Sequence, residues 1–435
     1  MNTCTCRPIA RLLTMAVCTL VLGKSHAQAL PARDTLVLSI QAVEKRFIDS
    51  NFQLLAAHYN VDAQKALIEQ AKLWDNPVLN TDQVIHANGK FFPYGHNADG
   101  SYSGQYFIQV QQLIKTARKR GKLIDLASTN SKISELQLQD LLRNLRYQLH
   151  IDYFTLQQQL ANRNLLLAQQ QQLSPLLNAM QAQFSLGNIA QKELLRIQAL
   201  LIGLNQDLTD INKTIADSET DLKTLLQLKD ESFVKPESAT DSSANAQLTY
   251  NLQSLQDMAK QNNPNYQLQV AQTLYQQQNL TYQKALRVPD ITVGPNFDRN
   301  SNFAPNYVGL GISLPLPVFN KNQGNIKAAE FGIKQQQAVT QNAETDLANS
   351  VSNAYQKLML TIAQNSTTQK DFYTKYQGMF QNMLKSYQQK QISLLEFIDF
   401  FNDYNDLQQR LNQQQLNLQL SKQELNYNIG TDAIQ

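Results

Sequence analysis

Side chains that commonly carry chemistry are sparse in this 435-residue sequence. The histidines beyond residue 27 include no pair spaced by three or four residues, as metal ligands on a helix require, and no carboxylate cluster adjoins them. The sequence also lacks a nucleophile elbow, a carboxylate pair with a histidine and a cofactor fingerprint. It therefore predicts no enzyme, no cofactor and no bound metal. These histidines are His58, His86, His96 and His150.

The first 27 residues have the pattern of a cleaved secretory signal. Arg7 and Arg11 precede an apolar run at residues 12–22, and Ser25-His26-Ala27 supplies a small-residue exit. All 3 cysteines lie in this segment, so the exported chain forms no disulfide. The signal also holds three of the 38 basic residues, which leaves 35 basic against 35 acidic residues. This balance predicts no nucleic-acid partner.

The elements that position any functional side chain are repeated along the chain. A heptad seam with alternating steps of three and four residues begins at Leu194, and most of it recurs 203 residues later. The sequence therefore predicts two copies of a long helical hairpin. The first seam contains Leu194, Ile197, Leu201, Leu204, Leu208, Ile211 and Ile215, and the second contains Phe397, Phe400, Tyr404, Leu407, Leu411 and Leu418.

Each copy opens with a helical pattern that a proline ends. Residues 36–74 are predicted to be helical, and the spans Asn51 to Pro77 and Asn263 to Pro289 match in length. A polar segment rich in Ser, Asp and Ala separates the copies. The predicted divisions are a signal at 1–27, a first repeat at 28–228, a linker at 229–248 and a second repeat at 249–435.

After each proline the hydrophobic period changes from helical to two. In residues 106–110 and 308–314, apolar side chains occupy every second position, and most of the positions between them are small or polar. This pattern is typical of a β-strand with one face in an apolar and one in a polar environment. Another candidate strand precedes each, near residues 78–85 and 291–297. The sequence thus predicts four strands of about ten residues, long enough to cross an outer membrane.

Two separate strand pairs leave their edges unpaired within one chain. A closed barrel shared by several chains would pair those edges in a membrane. Alternatively, the strand pairs pack on the helices of a soluble periplasmic protein. Both interpretations are open at this point.

The runs at residues 121–184 and 324–387 contain 64 residues each, with Pro175 as their only proline. If helical, each extends roughly 95 Å. Their surfaces are rich in Gln and Asn. This composition fits a solvated coiled-coil face, or the wall of a hydrophilic conduit.

The order of helix, Asn-Pro break, strand pair and long hairpin, repeated once, resembles the TolC family of outer-membrane efflux proteins. The resemblance covers essentially the whole exported chain. The run from Leu314 to Gly324, Leu-Pro-Leu-Pro-Val-Phe-Asn-Lys-Asn-Gln-Gly, is most similar to the heavy-metal efflux branch of that family.

The resemblance implies a mixed, mainly α fold with duplicated long helical hairpins and four transmembrane strands per chain. Three chains would form a homotrimer with a twelve-stranded barrel in the lipid of the outer membrane, continued by a helical tunnel in the periplasm. The implied role is a passive duct. Its implied partners are a periplasmic adaptor and an inner-membrane pump driven by protons.

The resemblance also implies that the hairpin tips form the periplasmic aperture. Glu396 and Asp399 match the inward carboxylates of the family, and Asp403 lies one turn further along the same helical face. Threefold symmetry would turn each into a ring of negative charge that attracts cations. Alternatively, these acids only favour the helix dipole. The residues assigned to the tips and to adaptor contact are Phe184, Gly187, Ile189, Tyr387, Lys390, Ile392 and Ser393.

Two tip residues depart from the family pattern. Lys390 stands where the family usually has glycine, and Ile392 replaces a polar or basic residue that ties the gate shut in some members. The network that closes the aperture is therefore expected to differ.

The predicted function is the outer-membrane exit duct of a tripartite efflux system for heavy-metal cations. One alternative is a duct for drugs or other organic compounds. Another, of a different class, is a soluble periplasmic coiled-coil protein with a structural or adaptor role.

Overall fold

The computed structural model describes residues 34–87, 89–229, 231–238, 250–301, 303–367 and 370–434. The predicted signal with its cysteines lies outside the described residues. So do residue 230 and residues 239–248 of the predicted linker, together with residue 249.

Helices account for most of the described chain. They are α1 Ile40–Ser50, α2 Phe52–Lys72, α3 Lys119–Ser185, α4 Gln191–Leu226, α5 Leu252–Asn262, α6 Pro264–Leu286, α7 Gln323–Thr367, α8 Lys370–Gln388 and α9 Leu394–Ile429. The longest, α3, has 67 residues and includes Pro175, so it extends about 100 Å. The predicted run at residues 324–387 corresponds to two helices, α7 and α8, and residues 368–369 between them lie outside the described part.

The repeat is visible in the lengths of equivalent helices. Both α4 and α9 have 36 residues, and their first residues lie 203 positions apart. Both α1 and α5 have 11 residues, at an offset of 212. The offset changes between these helices because the connections around the strand pairs differ in length.

The strands are β1 Thr35–Leu38, β2 Val78–Gln83, β3 His86–Ala87, β4 Lys90–Phe91, β5 Gly95–His96, β6 Tyr102–Ser103, β7 Tyr106–Ile114, β8 Phe233–Pro236, β9 Ile291–Asn300 and β10 Pro305–Ser313. The two predicted strand pairs join in one antiparallel sheet with the order β10-β9-β7-β2. The short strands β3 to β6 form two small hairpins in the β2–β7 connection.

The sheet has two chemically different faces. Ile108 pairs with Phe297, and Phe297 pairs with Val308, so alternation puts these side chains on one apolar face. The opposite face carries mostly amides and carboxylates, with Val78, Phe107 and Tyr307 among them. The apolar face includes Leu79, Ile108, Val110, Val293, Pro295, Phe297, Val308, Leu310 and Ile312, and the polar face includes Asn80, Asp82, Gln109, Gln111, Asn296 and Asp298.

Glycine leaves room for the polar side chains to lie across their face. A Cβ at Gly309 would be 2.5 Å from Asn296 Oδ1, and one at Gly311 would be 2.6 Å from Gln109 Nε2. Any larger residue at either position would force the amide to move.

One predicted helical segment and the predicted linker each contain a strand instead. Helix begins at Ile40 rather than at residue 36, and Thr35–Leu38 pairs in parallel with β8. Leu36 and Leu38 fit a helical or an extended period over so short a stretch, so the local pattern was ambiguous. Residues 35–38 form a strand because they pair with the distant β8.

The heptad seams form the core of the hairpins. The first seam is buried except for Ile211, which is half-buried. In the second, Phe397, Tyr404 and Leu418 are buried, whereas Phe400, Leu407 and Leu411 are half-buried. One apolar cluster contains side chains of both hairpins near their tips. The two hairpins therefore pack against each other as well as internally.

Candidate aperture at the hairpin tips

The two hairpin tips have the same backbone geometry. In the first, Gly187 N donates to Phe184 O at 2.9 Å and Asn188 N donates to Gln183 O at 2.9 Å. In the second, the residues 203 positions later form the same bonds: Lys390 N donates to Tyr387 O, and Gln391 N to Ser386 O. This pair of bonds defines a Schellman motif, which closes the carboxyl end of a helix.

Lys390 adopts the left-handed conformation that the motif requires. Its φ is 59°, and that of Gly187 is 74°. A Cβ at this conformation crowds the backbone, so lysine is strained where glycine is not. The departure from the family pattern therefore changes the residue but not the shape of the turn.

The helices that leave the two tips are capped differently. The N-cap of α9 is Ser393, whose hydroxyl accepts a bond from Glu396 N, while Glu396 Oε2 accepts from Ser393 N at 2.7 Å. This is a capping box. The N-cap of α4 is Ala190, which forms no side-chain cap, although Glu193 follows three residues later.

The three candidate aperture carboxylates share the exposed face of α9. Glu396, Asp399 and Asp403 are all exposed, whereas Phe397 and Tyr404 are buried on the opposite face. The hydrogen bonds from the Ser393 backbone and hydroxyl lower the pKa of Glu396. The cap therefore fixes the position of this carboxylate and favours its charged form.

Aromatic and apolar side chains hold the two tips together. The ring of Tyr387 stacks on Phe397 at 5.5 Å, and Tyr387 Oη lies 3.6 Å from Met180 Sδ of the first hairpin. Burial raises the pKa of Tyr387, and Glu193 adds to this shift. Ile189 and Ile392, at equivalent positions, both pack against the shared cluster. These tip residues therefore form a packed contact rather than a free surface.

Other predicted tip residues remain accessible. Phe184 is exposed, and Gly187 and Lys390 lie at the apex of their turns. On α8, burial raises the pKa of Tyr376, and the nearby Asp403 carboxylate contributes. Asp403 therefore lies near enough to α8 to act on Tyr376 while it stays exposed.

Sequence reasoning missed a polar network between α1, α3 and α9. His150 Nε2 lies 2.5 Å from Glu44 Oε1, and its Nδ1 lies 2.6 Å from Gln423 Oε1. Arg146 donates to Glu44 Oε1 at 2.9 Å and pairs with Asp432 at 2.8 Å. The His150 contact, followed by Arg146, lowers the pKa of Glu44 to about 2 although burial opposes the shift. The partners lie far apart in sequence, so no local spacing could reveal them.

No group of His, Cys, Asp and Glu within the described ranges has a geometry that could hold a metal ion. Among the described helices, none is both long and apolar enough to cross a membrane.

Part of the chain is similar in sequence to a known protein family. Residues 255–431 match the family model for outer membrane efflux proteins. No curated protein matches the chain.

Solved structures with a similar fold include outer membrane proteins and channels. CusC has a TM-score of 0.72 and 15% identity, with 90% of this chain and 92% of that chain covered. VceC from Vibrio cholerae has a TM-score of 0.67 and 12% identity, covering 90% and 96%. The CmeC channel from Campylobacter jejuni has a TM-score of 0.67 and 13% identity, covering 90% and 86%.

The described residues share the fold of these outer membrane proteins, in which long helices continue from a four-stranded sheet. The match of residues 255–431 to the outer membrane efflux model and the fold shared with outer membrane proteins both agree with the resemblance to the TolC family that the sequence shows. Outer membrane efflux proteins are passive ducts with a helical tunnel in the periplasm, so the predicted location and the predicted lack of enzymatic activity are confirmed. The heavy-metal branch stays a prediction.

Proposed function

We propose that three copies of this chain form the outer-membrane exit duct of a tripartite efflux system. The observation that carries the proposal is the four-stranded sheet with one apolar and one polar face. In a barrel, the apolar face contacts lipid and the polar face lines a water-filled passage.

The edges of the sheet account for the trimer. Among the described residues, β2 and β10 each pair on one side only. In lipid an unpaired edge costs several kcal/mol for each exposed polar backbone group. Pairing of β10 with β2 of the next copy removes both edges, and three copies close a twelve-stranded barrel.

The hairpin tips are the contact sites for the periplasmic adaptor and the site of the aperture. Phe184, Gly187, Lys390 and Ser393 present accessible atoms at the tips, while Ile189, Tyr387 and Ile392 hold them in place. The energy for transport comes from an inner-membrane pump, which is proton-driven in the branch that this sequence resembles. The duct itself couples no chemical reaction to transport.

The carboxylates of α9 form the charged lining of the aperture. Glu396 can cap α9 and also contribute to a ring of charge in the trimer, because the capping box orients the carboxylate but leaves it exposed. With Asp399 and Asp403 on the same face, threefold symmetry gives three stacked rings. Such rings attract cations and repel anions.

Heavy-metal cations are the substrates that we favour, on the resemblance of Leu314 to Gly324 and on the acidic aperture. Organic compounds are the second candidate, since selectivity in such systems lies mostly in the pump. A soluble periplasmic role does not account for the two-faced sheet.

Growth of a strain that lacks the gene tests this proposal. It is compared on graded copper, silver, zinc, cobalt and cadmium and on dyes, detergents and antibiotics. Complementation uses the wild type, the double variant Glu396→Gln/Asp399→Asn, and Asp217→Asn as a control at an exposed acid of α4. Gln retains the capping box, so the double variant removes charge without removing the cap.

Sensitivity to metals that the wild type and the control rescue, and the double variant does not, is the expected result. Sensitivity to organic compounds alone would contradict the metal assignment and leave the duct intact. Sensitivity to neither class would contradict the role in efflux.

A further inference from the structure

A short apolar loop joins β10 to α7. Its first six residues, Leu314-Pro315-Leu316-Pro317-Val318-Phe319, include no charged or hydrogen-bonding side chain. Leu316 is 75% exposed, Val318 62% and Phe319 92%. A contiguous exposed apolar segment of this kind marks a surface that another molecule covers.

The loop is held in place by its polar end, not by its apolar side chains. Asn322 Nδ2 donates to Gln283 O at 2.8 Å, which ties the loop to α6. Asn320 Oδ1 accepts from Asn322 N, and Asn322 O accepts from Ile326 N at the start of α7. Two prolines further restrict the apolar part. The apolar side chains are therefore presented outward on a fixed support.

The loop lies at the end of the sheet from which the long helices continue. Ser313 pairs with Thr292 at the end of β10, and Ile114 pairs with Ile291 at the end of β7. Leu314 continues the alternation that puts Leu310 on the apolar face. The loop therefore extends the apolar face to the boundary between the strands and the helices.

We infer that residues 314–319 are a lipid anchor that inserts into the leaflet next to the helices. The occupant of this surface is phospholipid, since the surface is continuous with the apolar face that contacts lipid in the proposed barrel. Lys321 follows immediately, where an ammonium group can reach lipid phosphates while its stem stays apolar. The inference rests on the proposed membrane-spanning barrel.

Tryptophan fluorescence of the full-length protein in phosphatidylcholine vesicles tests the anchor. The chain has a single tryptophan, Trp74, so Trp74→Phe provides a silent background. Phe319→Trp then reports on the loop, Ile312→Trp on the apolar face of the sheet, and Leu186→Trp on a hairpin tip. Vesicles with and without brominated acyl chains measure contact with lipid, and acrylamide measures contact with water.

The anchor predicts that Phe319→Trp emits at shorter wavelength than Leu186→Trp, loses most of its emission to brominated chains and resists acrylamide. Quenching by acrylamide alone would overturn it, because the loop would lie in water. Protection from both quenchers would also overturn it, because a second copy of the chain would cover the loop. If brominated chains quench Ile312→Trp but not Phe319→Trp, only the anchor fails. If they quench neither, the membrane-spanning barrel fails with it.

Discussion

Asn51 and Asn263 occupy equivalent positions in the two repeats, and each makes the same two kinds of hydrogen bond with its side chain. Both are buried, and the Oδ1 of each caps the following helix, with Asn51 accepting from Leu54 N and Asn263 from Tyr266 N, each at 3.1 Å. The Nδ2 of Asn51 donates to Leu225 O at 3.0 Å, and that of Asn263 donates to Asn428 O at 2.9 Å. Each asparagine therefore fastens the end of a long hairpin to the helix that leads into the sheet.

Replacement of either asparagine by alanine is expected to destabilise the protein by about 2 kcal/mol, because it removes a helix cap and leaves a partly buried carbonyl without this partner. Asn51→Asp and Asn263→Asp keep the cap acceptor and lose the donor, so they are also expected to be destabilising. Thermal unfolding in detergent checks this, with the exposed Asn60→Ala as a control. Equal melting temperatures for Asn60→Ala and Asn51→Ala would refute the assignment.

Mutations in the two tip turns are expected to change stability in opposite directions. Gly187→Ala adds a Cβ at a φ of 74°, and Lys390→Gly removes one at a φ of 59°. The first is expected to lower and the second to raise stability by about 1 kcal/mol. The same thermal assay applies, and a loss of stability in Lys390→Gly would contradict the turn geometry.

The unequal caps of α4 and α9 give a third prediction. Ser393→Ala removes the capping box and is expected to cost about 1 kcal/mol. Ala190→Ser creates the equivalent box with Glu193 and is expected to stabilise the first hairpin by a similar amount. Hydrogen exchange of the first turn of each helix measures both effects. Unchanged protection in Ser393→Ala would argue against the cap.

The Glu44 network predicts a dependence of stability on pH. The pKa of Glu44 falls from an ordinary value of 4.5 to about 2 in the folded protein. Its charged form therefore stabilises the fold above pH 4.5, and this contribution is lost as the pH falls towards 2. The difference in melting temperature between wild type and Glu44→Gln should be largest near pH 7 and shrink below 4.5.

Glu69→Gln is the matched control for the pH series, because Glu69 is an exposed carboxylate paired with Lys72 on the surface. Surface pairs contribute little, so its melting temperature should follow that of the wild type. A Glu44→Gln difference that stays constant with pH would contradict the proposed role of the charge.

Long periodic elements could be predicted from the sequence because their signal is local. The seam from Leu194 to Ile215 matches the buried face of α4, and the pair Asn263-Pro264 supplies the N-cap and the first residue of α6. The strand pairs could also be predicted, since alternation over several residues indicates a strand whose two faces have different surroundings. Their union in one sheet was expected only from the family resemblance, because local patterns carry no information on which strands pair.

Contacts between distant residues could not be predicted in this way. The polar network around His150, the pairing of β1 with β8 and the links made by Asn51 and Asn263 each join segments far apart in sequence. At the candidate aperture, spacing put Glu396 and Asp399 on one face, but the capping bond to Ser393 depends on the backbone at the start of α9. Both carboxylates remain candidates for the aperture.

We propose above all that this chain forms a transmembrane duct whose aperture favours cations. The most direct test is the reversal potential of the purified protein in a planar lipid bilayer under a salt gradient. We expect a cation-selective conductance whose selectivity falls in Glu396→Gln/Asp399→Asn and stays unchanged in Asp217→Asn. A wild-type protein that conducts no ions, or that prefers anions, would contradict it.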